Sequence, residues 1–391
     1  MNILLLYSTP FIQTDSFYWF YKQLVDQLGG DSQLYFAYLN SEKDIVNGLQ
    51  LPDSYAYYTP RNIEALTCFI KEYKIAVLFN FYLPIWQIKD FLMAIKKSLP
   101  KLKLVELIHN CPNHTVQLKE YSLKNIYSGF IPTSIKDRIA KLFPDIYLYF
   151  LKKKVGKENQ WAYELHDAVV LLSPSYISEY LSLIGKKKSD KVFAIPNPTA
   201  PLHFCKSEIP VEAKSKEIIF CGRLDIEKAV PMLLQVWERI QNQIPDWKFV
   251  LVGDGSQMQL CKKQAVELNL ERIEFRGFTN SRPLIDKASI LCLASVIEGL
   301  PTVFLEAMTM GVVPVGFDSF SSIYDMIDNW ENGVIVPAFD IDMYEKALLK
   351  LTMDRELRYK IGKNAQLKVE QYNISNIIFL WIHLFKYLKL I

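Results

Sequence analysis

At 391 residues, with half of them hydrophobic and 22% charged, the chain is too long for one simple core and too apolar to be disordered. The formal net charge of +3 gives no basis for a nucleic-acid partner, yet it is unevenly spread, at +5 over residues 1–197 and −2 over the remainder. Six cysteines (Cys68, Cys111, Cys205, Cys221, Cys261, Cys292) form no C-x-x-C pair, which excludes a zinc-site or disulfide-framework reading. Reduced core thiols in a cytoplasmic protein are expected.

The opening MNILLLYSTP lacks the basic region and small-residue cleavage site of a signal peptide and predicts a buried first strand over Asn2–Ser8. A helix follows from about Asp15 to Leu28, stopped by Gly29 and Gly30. Further units follow: a strand at Gln33–Tyr38, a helix over Asn62–Tyr73, a strand at Ala76–Phe79, a helix over Trp86–Leu99 and a strand at Leu102–Ile108. This alternation predicts a parallel sheet covered on both faces, with ligands gathering at the carboxyl ends of its strands. His109 stands at one such end, and His114 follows in a loop.

From Gln117 to Lys157 the pattern changes. IKDRIAKLFPDIYLYFLKKK mixes apolar, aromatic and lysine residues around Pro144 and predicts an added helical segment. Its apolar face either packs on the sheet or rests on a bilayer, with lysines meeting anionic headgroups. No run reaches the ~20 apolar residues a membrane span needs. Ala168–Ser173, Ser175–Leu183 and Lys191–Asn197 then read as strand, helix and the last strand of a first domain, before a linker stiffened by Pro198 and Pro201.

The second half opens with a strand at Ile218–Cys221, a Gly222-Arg223 turn and a helix from about Ala229. Arg223 offers a planar charged fork and Lys228 a point charge beside the same helix start, a pair suited to a diphosphate. A strand at Trp247–Val252 leads into Gly253-Asp254-Gly255, which lacks the third glycine of a dinucleotide site and excludes NAD. Another strand, Ile273–Arg276, ends in Gly277-Phe278-Thr279. The stretch LASVIEGLPTVFLEAMTMG places a strand, a loop with Glu298 and Gly299, and a helix from about Pro301 that contains Glu306. The two carboxylates bracket the free N–H groups of a helix N-terminus, where Leu300, Pro301, Thr302 and Val303 bring the backbone toward a phosphate. Each carboxylate can accept hydroxyl hydrogen bonds on either side of a diphosphate, which is the layout of a nucleotide sugar. Asp340-Ile341-Asp342 has metal-motif spacing but predicts a helix N-cap, and Ile374–Leu388 predicts a buried terminal helix.

EGLPTVFLEAMTMG resembles the E-x7-E signature of the retaining GT-B glycosyltransferases, family 4 above all, and the GRLDIEKA run resembles that family's diphosphate motif. The resemblance covers about Glu217–Gly333 most strongly and resumes over HDAVVLLSPSY and IPN. It implies an α/β GT-B protein with two Rossmann-like parallel-sheet domains facing a central cleft. The expected limits are 1–198, 199–371 and a terminal helix, 372–391, crossing back to the first domain. It implies His109 and Glu298 as catalytic residues at the donor sugar, and Gly222, Arg223, Lys228 and Gly299 to Val303 around the diphosphate. Glu306 would then bind the ribose, and Gly277, Phe278 and Thr279 would face the base. The chain departs from the family in two places: the first loop, STPFIQTD, has no glycine, and Ala229 stands where glycine is usual.

The expected function is retaining transfer of a hexose from a UDP- or GDP-linked donor, without metal or cofactor. The acceptor would be a lipid-linked glycan of bacterial surface polysaccharide, and the location cytoplasmic, with peripheral contact at the inner membrane face. The rival readings are an inactive relative serving as a scaffold, an epimerase or a phosphorylase.

Overall fold

The computed structural model describes residues 1–7, 16–39, 46–81, 85–124, 134–199, 207 and 209–391. The glycine-free loop 8–15, Pro201 and Cys205 lie outside them. The chain divides into two compact units that are discontinuous in sequence. One comprises Met1–Pro112, Lys153–Ala200 and Ile374–Ile391, the other Asn113–Lys152 and Pro201–Asn373. Grouping Asn113–Lys152 with the second unit differs from the unbroken 1–198 domain expected from the sequence. The physical reason is local: His114 approaches Glu227, and the Tyr121 ring lies 5.3 Å from that of Phe339.

Among the described residues the first unit holds seven parallel strands: β1 (Asn2–Tyr7), β2 (Leu34–Tyr38), β3 (Gly48–Gln50), β4 (Ile75–Phe81), β5 (Lys103–Ile108), β6 (Ala168–Leu171) and β7 (Val192–Ala194). They lie in the order β3-β2-β1-β4-β5-β6-β7. The central strands are continuous apolar runs because helices cover both faces. Alternate residues feed two cores, with Ile3, Leu5 and Phe79 on one side and Leu4, Leu6 and Leu78 on the other. The terminal helix Ile374–Tyr387 fills the first of these, its Trp381 stacked 5.2 Å from Phe79 and meeting Tyr21 edge-on at 5.9 Å.

The described residues of the second unit hold six: β8 (Glu217–Cys221), β9 (Lys248–Val252), β10 (Ile273–Phe275), β11 (Ile290–Leu293), β12 (Val313–Asp318) and β13 (Val334–Pro337). Their order is β10-β9-β8-β11-β12-β13, again all parallel. Both sheets are doubly wound. The strand order reverses between β1 and β4 in one and between β8 and β11 in the other, and such a reversal opens a crevice at the strands' carboxyl ends.

Asp340 is the N-cap of helix Ile341–Met353, its Oδ1 accepting from the Met343 N–H at 2.9 Å, while Asp342 pairs with Arg239. The segment around Pro144 is two helices, Ile135–Leu142 and Pro144–Leu165. Among the described residues no helix is long and apolar enough to cross a membrane.

Candidate functional site

In the second unit the chain leaves β8 at Gly222 and β11 at Ala294, on either side of the switch point. Leu224, fully buried, anchors the first loop, and its backbone bonds to Asp254 O at 2.9 Å and Gln257 N at 2.7 Å. At Gly253, a side chain would bring its Cβ within 1.9 Å of Gly222 O, and φ is +130°. The Gly253-Asp254-Gly255 run is therefore the floor on which the Gly222-Arg223 loop rests, a structural use that explains its glycines without a nucleotide.

Arg223 projects outward and bonds Glu227 Oε1 at 2.5 Å and Asp225 Oδ2 at 3.1 Å. Two residues before that strand-to-helix turn closes, Glu227 also faces His114, whose Nε2 stands 3.6 Å from Oε2, too long for a good hydrogen bond. His114, Lys228 and Arg223 together hold the Glu227 carboxyl below its ordinary range against the opposing effect of burial. Lys228 Nζ reaches Glu298 Oε1 at 2.6 Å, and the Ser295 hydroxyl donates to the same oxygen at 2.6 Å. Both partners are largely withdrawn from water, so this contact is stronger than a surface pair. The backbone ties the two loops as well, through Val296 N to Glu227 O at 2.7 Å. Residues 70 apart in sequence thus meet because β8 and β11 are neighbours.

The short helix Ile226–Lys228 passes into helix Val230–Ile240 through Ala229, which is buried at φ +44° and ψ +38°. This left-handed turn is the conformation glycine adopts without strain, so Ala229 holds it at a cost in backbone energy.

Gly299, Leu300 and Pro301 are buried, and Pro301 is the N-cap of helix Thr302–Thr309 instead of its first residue. The N–H groups of Thr302 and Val303 open that helix and have no partner within it. Glu306, one turn in, is pushed up to about 7 by burial, opposed by Arg282 from the start of helix Arg282–Lys287. Its charge acts on Cys221 at the end of β8, which places it at the same sheet edge. Gly277 lies at φ +65° and accepts a bond from Gly253 N at 2.8 Å, and the Phe278 ring beside Thr279 is 93% exposed.

The structure thus brings Gly222, Arg223, Lys228, Glu298 to Val303 and Glu306 to one edge of one sheet, with Gly277 to Thr279 at the end of its edge strand. Glu227, Ser295 and Arg282 join them. Sequence reasoning missed these three, although the i+4 spacing of Arg223 and Glu227 was a readable signal. His109 belongs to the first unit, at the end of β5, where its ring packs 4.2 Å from Phe81. Burial pushes it down to about 3, so its imidazole is neutral.

Two doubly wound parallel-sheet units of this kind form the GT-B fold, which this chain shares with solved structures aligned over nearly its full length. With Anabaena Alr3699/HepE in complex with UDP the TM-score is 0.70 at 14% identity, covering 99% of this chain and 100% of that one. With sucrose-phosphate synthase from Thermosynechococcus elongatus it is 0.72 at 16% identity, covering 99% of each.

Residues 205–368 match the family described as glycosyl transferases group 1. An uncharacterized glycosyltransferase of Haemophilus influenzae is 31% identical over 198 residues, 50% of this chain and 55% of the relative. In Campylobacter jejuni, the GalNAc-alpha-(1->4)-GalNAc-alpha-(1->3)-diNAcBac-PP-undecaprenol alpha-1,4-N-acetyl-D-galactosaminyltransferase is 29% identical over 220 residues, 54% and 60% of the two chains. The chain spans about half the length of the curated relatives it matches.

Proposed function

We propose that the chain is a retaining glycosyltransferase that takes a hexose from a UDP- or GDP-linked donor to a lipid-linked glycan acceptor in bacterial surface polysaccharide synthesis. The observation that carries this reading is the meeting of Arg223, Lys228 and Glu298 at the β8/β11 switch point, beside the helix that bears Glu306. A diphosphate leaving group gains negative charge as the glycosidic bond breaks. Arg223, Lys228 and the N–H groups of Thr302 and Val303 are preorganised donors for that charge, which removes the need for a metal. Glu298, released from Lys228 when the diphosphate takes the ammonium, becomes an acceptor for sugar hydroxyls. Glu306 holds the ribose, Phe278 offers a face to the base, and the neutral His109 is assigned to the sugar. The relatives' names favour a polyprenyl-linked acceptor, since the Campylobacter jejuni transferase names one.

The test is turnover of a panel of nucleotide sugars, with nucleotide binding followed by thermal shift. Arg223→Ala and Lys228→Ala should each weaken nucleoside diphosphate binding about tenfold or more, the loss of one charge-assisted bond of roughly 1.5–3 kcal/mol. His109→Ala should lower turnover and leave that binding unchanged, and activity should survive a chelator. Binding at parental strength in both cation variants would defeat the assignment.

A further inference from the structure

Helix Ile135–Leu142 is amphipathic in the wrong sense for packing. Its apolar residues Ile135, Ile139 and Leu142 recur at i, i+4 and i+7, the spacing of a core-facing stripe, yet they are 77%, 54% and 72% exposed. Only the small Ala140 is buried. The stripe continues through the bend at Phe143 into helix Pro144–Leu165, and Phe143, Ile146 and Phe150 are also exposed. Six large apolar side chains thus occupy a continuous stretch of two short helical faces turned away from the core. A contiguous apolar face of this kind marks an interaction site.

The charges around the stripe select the partner. Residues 134–154 carry six basic side chains, Lys136, Arg138, Lys141 and Lys152 to Lys154, against two acidic ones. Both acids are occupied by the preceding helix, His114–Lys124: Asp137 by Lys119 at 2.8 Å and Asp145 by Lys124 at 2.8 Å. The basic residues therefore dominate the field at the stripe. A second copy of this chain seated on the same face would oppose like charges. An anionic bilayer offers both what the stripe and what its flanks require: an acyl boundary for the apolar face, and headgroups for lysines that reach outward along their stems.

We propose that helices Ile135–Leu142 and Pro144–Leu165 dock the protein on an anionic lipid bilayer, with Ile135, Ile139, Leu142, Phe143, Ile146 and Phe150 entering the interface. The helix that neutralises the two acids also bears on the candidate site, since His114, at its first residue, faces Glu227. The 11 residues of helix His114–Lys124 span about 15 Å, so docking and the Arg223–Glu227 cluster are joined by one rigid rod. This surface goes beyond the transfer reaction and is tested without donor or acceptor.

Co-sedimentation with phosphatidylcholine vesicles, and with the same vesicles carrying about 30% phosphatidylglycerol, reads the docking. The wild-type chain should bind the anionic vesicles at least about tenfold more tightly, and lose most of that preference at about 0.5 M salt. Substitution of Ile139, Phe143 and Ile146 by serine leaves every charge in place and should abolish binding to anionic vesicles, with nucleoside diphosphate binding kept as the readout of folding. Phe150→Trp should give a blue-shifted emission on anionic vesicles. Undiminished vesicle binding by the serine variant, or wild-type chain left in solution beside anionic vesicles, overturns the proposal. So does self-association that the serine substitutions abolish while vesicles stay bare. In each case the nucleotide measurements stand or fall separately.

Discussion

Lys228 and Glu298 neutralise one another in the ligand-free chain, so a diphosphate must compete with a carboxylate for the ammonium. Glu298→Gln removes that competitor. Nucleoside diphosphate affinity should hold or rise in this variant while transfer falls, because the side chain left at 298 still reaches hydroxyls but no longer carries charge. Glu306→Gln should do the opposite, weakening the nucleotide about tenfold through a lost charged acceptor. With Glu306 pushed up to about 7, lowering the pH through neutrality protonates it and takes away one acceptor. The affinity ratio of parent to Glu306→Gln should therefore fall as pH goes from about 8 to 6, read by calorimetry on both proteins. Arg223, Lys228, Glu298 and Glu306 were all legible in the sequence, because motif and spacing name residues. Which carboxylate each cation holds was not legible, since pairing depends on rotamers and on which loops the sheet brings together. Glu227 and Ser295 were lost for that reason.

A second residue cluster lies in the first unit and was invisible in sequence. Glu106, on β5, accepts from Asn80 Nδ2 at 2.6 Å and faces His166 Nε2 at 3.1 Å. His166 Nδ1 lies 2.8 Å from the Ala162 carbonyl and must donate to it, so the contact with Glu106 needs one shared proton. Burial raises Glu106 to about 8 and lowers His166 to about 4, which puts the proton on the carboxyl at neutral pH. The signs follow. The raised Glu106 loses stability as pH climbs from its ordinary 4.5 to about 8, and the lowered His166 loses it as pH falls from 6.5 to about 4. Between 4.5 and 6.5 the two slopes offset, leaving a net decline from 6.5 to about 8. Glu106→Gln should cost roughly 1 kcal/mol at pH 6, because one amide atom cannot both donate to His166 and accept from Asn80. It should also flatten the decline, as urea unfolding at pH 6 and 8.5 would record.

At the scale of elements, hydrophobic runs and caps were read well where burial is symmetric. β1, β4, β5, β8, β9 and β11 are covered on both faces, and their apolar runs say so. β3 was missed because three residues with only partial burial leave no pattern, and β12 and β13, apolar as they are, were not read as strands either. Helix Ile135–Leu142 shows the deeper reason for misreading: periodicity reveals a stripe but not which side the core lies on. The terminal helix was legible in full, and its packing gives a measurable consequence. Trp381, between Phe79, Tyr21 and Phe385, is 3% exposed, so Trp381→Ala should cost about 3–5 kcal/mol of the first unit's stability in denaturant unfolding.

For the whole molecule, two sheets with the same reversal of strand order give two sets of strand ends, and the cationic residues of the candidate site sit on one of them. Nucleoside diphosphate binding should therefore act first on the second unit. At about a hundred times the dissociation constant it should stabilise that unit by about 2.7 kcal/mol. Hydrogen exchange should slow at the backbone of Gly222 to Lys228 and of Gly299 to Val303, with the amides of β1 and β2 unchanged. Slowing that begins in the first sheet would contradict the assignment. The parallel sheets covered on both faces were legible because alternating strands and helices leave few topologies, and the GT-B arrangement was legible through the resemblance carried by EGLPTVFLEAMTMG. The grouping of Asn113–Lys152 with the second unit was not, because it rests on long-range contacts such as Tyr121 with Phe339.

That discontinuity has a consequence for synthesis on the ribosome. The face of β1 and β4 that carries Leu5 and Phe79 is closed by Trp381 and Phe385, which are translated long after those strands. At about 5–20 residues per second, the strands of the first unit wait roughly 10–40 s after Ala200 for the helix that covers them. Throughout that interval Phe20, Tyr21 and Phe79 form an uncovered aromatic surface on the nascent chain. The second unit, begun later, has every segment it needs by Asn373 and completes first. On a ribosome-bound chain stalled before Ile374 the amides of β1 and β4 should therefore exchange freely, and they should become protected once Trp381 and Phe385 have emerged.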